Sequence, residues 1–218
     1  MATTNLTLPN MLSGLRILLV PVLLGLAWLG HASAFLLLLA VSLSTDFFDG
    51  YLARRLDQST ELGVKLDSWG DLLTYGVMVV GLYLLWPGTF DRESWFLAMG
   101  VAFYLLPTFA SLYKFRDLPR YHTWAAKAAA LLLAPAYYLL TLWDLSLPFR
   151  VVIVFHVWVA VEEVLITLTL KRKQDNVPSW LHARFLTRRA RERLRNRRNR
   201  IREARAQRRD RFRHRPDQ

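Results

Sequence analysis

Cysteine is absent from the sequence, which excludes disulfide bonds and metal sites built from thiolates. Charge is scarce over most of the chain, since residues 1–170 hold 10 Lys/Arg and 12 Asp/Glu, whereas residues 171–218 hold 19 and 5. The formal net charge of +12 therefore comes from the C-terminal part and says little about a functional site. We expect two parts: a membrane domain over residues 1–170 and a basic, Arg-rich cytoplasmic tail over residues 171–218.

Long apolar runs fill the first part. A hydrocarbon core about 30 Å thick requires about 20 predominantly apolar residues in a spanning helix. We place six such segments, near residues 12–30, 33–53, 68–86, 95–113, 124–143 and 149–170. The sequence therefore predicts an all-α integral membrane protein, a bundle of six transmembrane helices.

The positive residues between the segments predict the orientation. Two connections carry three cations each: Arg54, Arg55 and Lys65 in one, and Lys114, Arg116 and Arg120 in the other. The connections on the opposite side contain only Arg92 and Arg150. Because Lys and Arg accumulate on the cytoplasmic side, we expect cytoplasmic N- and C-termini and a multi-pass protein of the cytoplasmic (inner) membrane.

Four aspartates lie where the second segment ends and the third begins: Asp46, Asp49, Asp67 and Asp71. Spacings of three and four residues place each pair on one face of a helix. The short connection predicts that the two helices are antiparallel neighbours, so that the four carboxylates converge. Such charges are costly near a membrane without a partner. A divalent cation removes this cost, and carboxylate oxygens favour Mg²⁺, Mn²⁺ or Ca²⁺.

Small residues and an arginine accompany the aspartates. Gly50, Ala53 and Gly63 leave room for a ligand against bare backbone. Arg54 supplies a fixed positive charge that suits phosphate. This combination favours a site for a phosphate-bearing ligand. The alternatives are solvated helix-end charges without a function and an acidic ring in a cation transport protein, which would not need Arg54 and the small residues.

The residues from 46 to 71 read D-x2-D-G-x2-A-R-x8-G-x3-D-x3-D without a mismatch. This pattern resembles the signature of the CDP-alcohol phosphatidyltransferase family, whose architecture also has six spans. The segment LPNMLSGLRILLVPVLL, which begins at Leu8, resembles the opening of the phosphatidylglycerophosphate and cardiolipin synthase branches. The resemblance covers about residues 8–170 and leaves the tail outside it.

The resemblance implies an enzyme of phospholipid biosynthesis that transfers a phosphatidyl group from CDP-diacylglycerol to a polar alcohol and releases CMP. It implies a pair of Mg²⁺ or Mn²⁺ ions, a homodimer, and an active site that faces the cytoplasm. The implied metal ligands are Asp46, Asp49, Asp67 and Asp71, and Asp71 is also the implied general base. The implied nucleotide-binding residues are Gly50, Ala53, Arg54 and Gly63.

The acceptor alcohol is less constrained by the sequence. Lys127, Arg116 and Arg120 are candidates for binding an acceptor that carries phosphate, and the opening segment makes glycerol 3-phosphate the first candidate. Serine, inositol, inositol phosphate and choline stay open as acceptors. Positive-inside topology alone is the alternative explanation for Arg116 and Arg120. For Lys127, pairing with Glu163 is the alternative to binding a substrate phosphate.

The Arg-rich tail has almost no apolar stripe, since Leu194 and Ile201 stand nearly alone. Basic residues contribute about 1 kcal/mol each near an anionic membrane surface. We therefore expect the tail to lie on anionic lipid, with RNA binding as the alternative. Nothing in the tail matches a nucleotide or metal pattern, so we expect it to be dispensable for the chemistry.

Overall fold

The computed structural model describes residues 7–55, 60–117, 123–170 and 179–185, without the side chains of residues 9, 46–54, 61 and 64. Six long helices make up almost all of this part. They are α1 (Leu8–Trp28), α2 (Ala32–Arg55), α3 (Glu61–Leu85), α4 (Pro87–Phe115), α5 (Trp124–Trp143) and α6 (Ser146–Thr169). Residues 180–185 form a short helical segment after α6. The prediction of an all-α protein is confirmed.

Five of these helices, α1 and α3 to α6, are long and apolar enough to cross a membrane. In α2, the apolar part among the described residues, Ala32–Thr45, is shorter. Large apolar side chains such as Leu18, Leu37 and Trp95 are exposed on the helices. Many large apolar side chains exposed on long apolar helices indicate contact with lipid. The chain is therefore a multi-pass membrane protein, whereas the sixth span and the orientation of the termini stay predictions.

Helix α5 has its predicted bounds, but α3 and α4 begin earlier than predicted. The cause at α3 is Thr60, whose hydroxyl accepts a hydrogen bond from the Gly63 N–H at 2.9 Å and caps the helix. The polar residues that precede the apolar run are therefore helical from Glu61 onward. Helix α4 begins at Pro87. Proline suits the first turn of a helix, because backbone N–H groups there have no intrahelical acceptor and the N–H that proline lacks is not needed.

The chain divides into two compact units. Unit 1 comprises residues 1–100 and 131–153, and unit 2 comprises residues 101–130 and 154–218. Unit 1 thus contains α1, α2 and α3 together with one part each of α4, α5 and α6. The predicted division at residue 170 separates a membrane domain from a tail that lies largely outside the described residues, so it stays a prediction.

In unit 1, α1 lies against both α2 and α3, which contact each other far less. The shared core includes Leu23 of α1, Phe35 of α2 and Leu82 of α3, all fully buried. Gly81 creates the space for the Phe35 ring, because a Cβ atom at this position would lie 2.3 Å from Phe35 Cζ. The first helix therefore contributes most of the packing among these three helices, and α2 and α3 also meet directly at Phe35 and Gly81.

Two tyrosines of α5 complete this packing. The Tyr137 hydroxyl donates to the Met78 carbonyl oxygen of α3 at 2.9 Å, and the Tyr138 hydroxyl donates to the Leu36 carbonyl oxygen of α2 at 2.6 Å. A buried phenol needs such a partner, since an unsatisfied hydroxyl in an apolar interior costs about 1–3 kcal/mol. The C-terminal part of α5 is thereby fixed against both helices.

Unit 1 also contains a cluster of charged side chains, called here the Glu93 cluster. It consists of Arg92, Glu93, Asp144 and Arg150. The Glu93 carboxylate is fully buried and accepts hydrogen bonds from Arg150 Nε at 2.8 Å and Arg150 Nη2 at 2.9 Å. Arg92 Nη1 donates to Asp144 Oδ2 at 3.1 Å, and Arg92 Nε donates to Glu93 Oε1 at 3.1 Å. The cluster therefore links the start of α4 to the start of α6 and to the residues just before it.

In unit 2, residues 179–185 pack on the end of α6. The Trp180 backbone N–H donates to Glu162 Oε1 at 3.1 Å, and its indole N–H donates to Thr169 Oγ1 at 3.2 Å. Ala183 is fully buried in a small core with Ile166. Lys114 Nζ donates to the carbonyl oxygens of residues 167 and 168 in the last turn of α6, where carbonyl groups have no intrahelical partner. The first residues beyond the predicted tail boundary thus include a docked segment.

Candidate active site

Asp67 and Asp71 lie one turn apart on the same face of α3, and their carboxylates meet one cation. Arg16 Nη2 donates to Asp67 Oδ1 at 2.9 Å, and Arg16 Nη1 donates to Asp71 Oδ1 at 2.9 Å. Arg16 Nη2 also reaches the backbone carbonyl oxygen of Asp67 at 3.3 Å. Two of the four predicted site aspartates are therefore brought together at a point where a positive charge sits between them.

Arg16 was not among the residues that the sequence predicted for the site. Its side chain is 1% exposed and belongs to α1, which reaches α3 because the two helices pack together. The sequence did contain a signal, since Arg16 is the only charged residue of α1. A guanidinium in an apolar spanning segment is costly unless it has a partner, and such a residue should have been matched with the nearby carboxylates.

Gly70 provides the space for this guanidinium. A Cβ atom at position 70 would lie 2.6 Å from Arg16 Nε and 2.8 Å from Arg16 Nη2, closer than real Cβ contacts. The planar group of Arg16 therefore rests on bare backbone between Asp67 and Asp71. A larger residue at this position would displace the Arg16 guanidinium, so glycine here serves a close approach within the chain itself.

Gly63, a predicted nucleotide contact, is closely packed against another part of the chain. A Cβ atom there would lie 2.3 Å from Asn10 Oδ1. The buried Asn10 in turn donates through Nδ2 to Thr60 Oγ1 at 3.0 Å. The small size of Gly63 thus admits the Asn10 side chain, and its role in nucleotide binding stays a prediction.

The remaining predicted residues of the motif belong to the C-terminal part of α2, where the backbone is helical through Arg55. These residues are Asp46, Asp49, Gly50, Ala53 and Arg54. Helical geometry places Asp46 and Asp49 on one face of α2. Their side chains fall outside the described part, so their roles in metal and nucleotide binding stay predictions.

The predicted acceptor-binding residues belong to unit 2. Lys127 is exposed on α5, with Nζ 5.2 Å from the centroid of the Trp124 ring. Within the described residues it forms no ion pair with Glu163. Arg116 follows α4 with a left-handed φ of 56° and is exposed. Arg120 lies outside the described residues. The part of these three residues in acceptor binding stays a prediction.

The described residues contain no group of three or more His, Asp or Glu side chains that would hold a metal ion on their own. The α3 pair nevertheless fits one side of such a site. The two carboxylates converge on the guanidinium of Arg16. They are 43% and 34% exposed, so a further ligand can reach them. Oxygen-only donors of this kind suit Mg²⁺ or Mn²⁺. Asp46 and Asp49 would supply the other side.

Comparison with known families gives one match that covers most of the chain. The model described as CDP-alcohol phosphatidyltransferase matches residues 6–188. This range includes all six helices, every predicted site residue and the docked segment of residues 179–185. It ends within the region that the sequence assigned to the tail.

Curated bacterial proteins are similar to the chain over shorter ranges. The CDP-diacylglycerol--glycerol-3-phosphate 3-phosphatidyltransferase of Pseudomonas fluorescens is 34% identical over 142 residues, which is 59% of this chain and 70% of that protein. The enzyme of the same name from Salmonella choleraesuis is 37% identical over 100 residues, 44% of this chain and 50% of that protein.

The corresponding protein of Escherichia coli K12 is 36% identical, with the same 44% and 50% shares. The chain thus spans about half the length of the Salmonella and Escherichia relatives that it matches. No solved structure matches the chain.

Proposed function

Because the chain belongs to the CDP-alcohol phosphatidyltransferase family, we propose that it transfers the phosphatidyl group of CDP-diacylglycerol to glycerol 3-phosphate and releases CMP. The predicted class of enzyme, a transferase of phospholipid biosynthesis, is confirmed by the family match. The choice of acceptor is supported by the names of the similar bacterial proteins, which are glycerol-3-phosphate enzymes. Membership also argues against the alternative of a cation transport protein.

The observation that carries the proposal is the convergence of Asp67 and Asp71 of α3 on the guanidinium of Arg16 from α1. A diphosphate substrate brings negative charge toward this same place. The negative charges of the carboxylates and of the diphosphate are compatible only if cations lie between them. Members of this family generally depend on a divalent metal, and the α3 carboxylates are partly exposed groups able to hold one. The site is therefore suited to a substrate whose reacting part is a metal-bound diphosphate.

In the proposed reaction, a pair of Mg²⁺ or Mn²⁺ ions would be held by four carboxylates, those of Asp46, Asp49, Asp67 and Asp71. When bound, such ions neutralise the diphosphate and stabilise the departing CMP. Asp71 accepts the proton of the acceptor hydroxyl. The acceptor oxygen then bonds to the phosphorus that carries the diacylglycerol, and the phosphoanhydride bond to CMP breaks. The proton on Asp71 passes to solvent, which restores the carboxylate.

We further propose that Gly50, Ala53, Arg54 and Gly63 bind the cytidine diphosphate. The nucleotide is polar, whereas the two acyl chains stay in lipid, so the site must lie at a membrane surface. The predicted six spans and cytoplasmic termini would put the site at the cytoplasmic surface of the inner membrane, where glycerol 3-phosphate is dissolved and the polar headgroup of CDP-diacylglycerol is in contact with water. The proposal includes a homodimer and a tail that contacts anionic lipid, with RNA as the alternative partner.

Acceptor profiling tests this function. The full-length protein in detergent is supplied with CDP-diacylglycerol, Mg²⁺ or Mn²⁺, and one alcohol at a time, and the release of CMP is measured. We expect release with glycerol 3-phosphate and little with serine, inositol, inositol phosphate or choline. Release with one of the other alcohols alone would contradict the acceptor and leave the family unchanged. Absence of release with every alcohol would contradict the proposed transfer itself.

A further inference from the structure

Arg16 is the feature that the proposed chemistry does not use. It is the only charged residue of α1, it is almost completely buried, and its two terminal nitrogens contact two different carboxylates. Both contacts are 2.9 Å long, so the guanidinium spans Asp67 and Asp71 as a fork. A lysine could not reproduce this arrangement, since its ammonium is a single point of charge.

The position of this guanidinium is fixed by more than the two carboxylates. Arg16 Nη2 also donates to the Asp67 carbonyl oxygen, a backbone group that keeps its place when side chains move. The absence of a side chain at Gly70 creates the space that Arg16 fills. These contacts favour a guanidinium that stays in position when a metal ion enters.

We propose that Arg16 is a positioning residue, which holds the carboxylates of Asp67 and Asp71 turned toward a divalent cation. The inference rests on the proposed function, because it takes these two aspartates as metal ligands. A carboxylate has two oxygens and about four lone-pair sites. Each aspartate meets Arg16 through Oδ1, and this contact is compatible with coordination of a metal by the same group. Hydrogen bonds of this type orient metal-binding carboxylates in other proteins.

Before a metal binds, the same contact limits the repulsion between two neighbouring carboxylates. Without Arg16, the side chains of Asp67 and Asp71 would turn apart to separate their charges. A metal would then have to bring them back together, at the expense of part of its binding free energy. Arg16 therefore acts on the affinity for the metal through the two carboxylates that it contacts.

The test measures the binding of Mn²⁺ to the full-length protein in detergent, by calorimetry or electron paramagnetic resonance, without substrate. We expect Arg16→Gln to weaken Mn²⁺ binding about 10–100-fold, the usual effect of removing a group that orients metal ligands. Arg16→Lys should restore only part of the affinity. Gly70→Ala should weaken binding too, because its Cβ displaces the guanidinium. The matched control is Gly76→Ala on the same helix, where a Cβ meets nothing within 4 Å.

The outcomes separate a positioning role from a merely structural one. A positioning role raises the Mn²⁺ concentration needed for half-maximal CMP release, and saturating Mn²⁺ recovers most of the rate. A structural role lowers the melting temperature without changing the affinity of the folded fraction. If Arg16→Gln does not fold, the Mn²⁺ affinities of Gly70→Ala and Arg16→Lys distinguish the two roles.

Equal or tighter Mn²⁺ binding by these variants, with a wild type that binds Mn²⁺ and releases CMP, would overturn the inference alone. A wild type that releases CMP without binding Mn²⁺ would overturn this inference and the proposed metal site, and would leave the proposed transfer standing. A wild type that does neither would overturn the proposed function and this inference together.

Discussion

At the scale of a single residue, Asp71 has two distinct roles in the proposed site. It contacts Arg16, and it is the candidate that accepts a proton from the attacking alcohol. Asparagine keeps an oxygen that can accept the hydrogen bond from Arg16, but it has no carboxylate to take a proton. The two roles can therefore be separated by one substitution.

Asp71→Asn should reduce the turnover number for CMP release by about 10²–10⁴-fold, the usual contribution of a general base. Calorimetry should show that the variant still binds CDP-diacylglycerol and binds Mn²⁺ more weakly than the wild type, because asparagine keeps one ligand oxygen and loses the negative charge. Asp67→Asn is the comparison, and it should lose metal binding and activity together. If Asp71→Asn cannot bind the nucleotide lipid, Asp71 acts as a metal ligand alone and its role as the base is wrong.

Lys127→Ala tests the acceptor site. The side chain is exposed and forms no ion pair with Glu163 among the described residues, so its removal should change the melting temperature little. If Lys127 binds the acceptor phosphate, its loss should raise the KM for glycerol 3-phosphate about tenfold or more, because hydrogen bonds to charged groups contribute about 1.5–3 kcal/mol. The KM for CDP-diacylglycerol should stay nearly constant.

Lys114→Ala is the matched control for this prediction. Lys114 donates to carbonyl oxygens in the last turn of α6, so its loss should lower the melting temperature and leave the KM for glycerol 3-phosphate unchanged. An equal effect of Lys127→Ala on both substrates would contradict a specific acceptor contact.

At the scale of helices, the sequence correctly predicted that six long helices exist in the described part of the chain, and it predicted their first residues less accurately. The bounds of α5 followed from clear polar breaks on both sides. The starts of α3 and α4 did not, because a capping threonine and an initial proline make polar residues helical. The contact of Arg16 with α3 could not be read from spacing within the motif. It depends on α1 lying against both α2 and α3, a packing that no pattern within one helix contains.

The docked segment of residues 179–185 gives a prediction at the same scale. A chain that ends after residue 188 should keep its melting temperature and its turnover. A chain that ends after residue 173 loses two hydrogen bonds of Trp180, each worth about 1 kcal/mol. Each kcal/mol corresponds to about 2–4 °C in Tm for a protein of this size. Equal melting temperatures of both truncated proteins would show that the segment does not stabilise unit 2.

For the whole molecule, the opposite charge of its parts gives the clearest expectation. The first 170 residues have two more acidic than basic side chains, and the tail has a large positive excess. The protein that ends after residue 188 should bind vesicles with anionic lipid less well than the full chain. The difference should shrink as salt rises, since the Debye length falls from about 10 Å at 0.1 M to about 3 Å at 1 M. A difference that is independent of salt would contradict an electrostatic role.

Removal of divalent metal tests the whole catalytic proposal. Excess chelator should abolish CMP release, because the converging carboxylates would repel the diphosphate, and added Mn²⁺ or Mg²⁺ should restore it. Full release in chelator would contradict a metal-dependent site. The melting temperature of the chelated protein serves as the control, and we expect it to change little because Arg16 neutralises part of the charge on α3.

The Glu93 cluster affects how the folded protein responds to a fall in external pH. Asp144 lies between α5 and α6, and its hydrogen bonds with Arg92 hold its pKa below the usual range. A carboxyl group of this kind contributes its full stabilisation above its unfolded pKa, and the contribution falls as the pH drops from there and is gone below the lower, folded pKa. In the proposed orientation this end of the protein faces the outside of the cell. Mild acidification of the surroundings therefore leaves the outer ends of the helices joined, while the chemistry proceeds on the other side of the membrane.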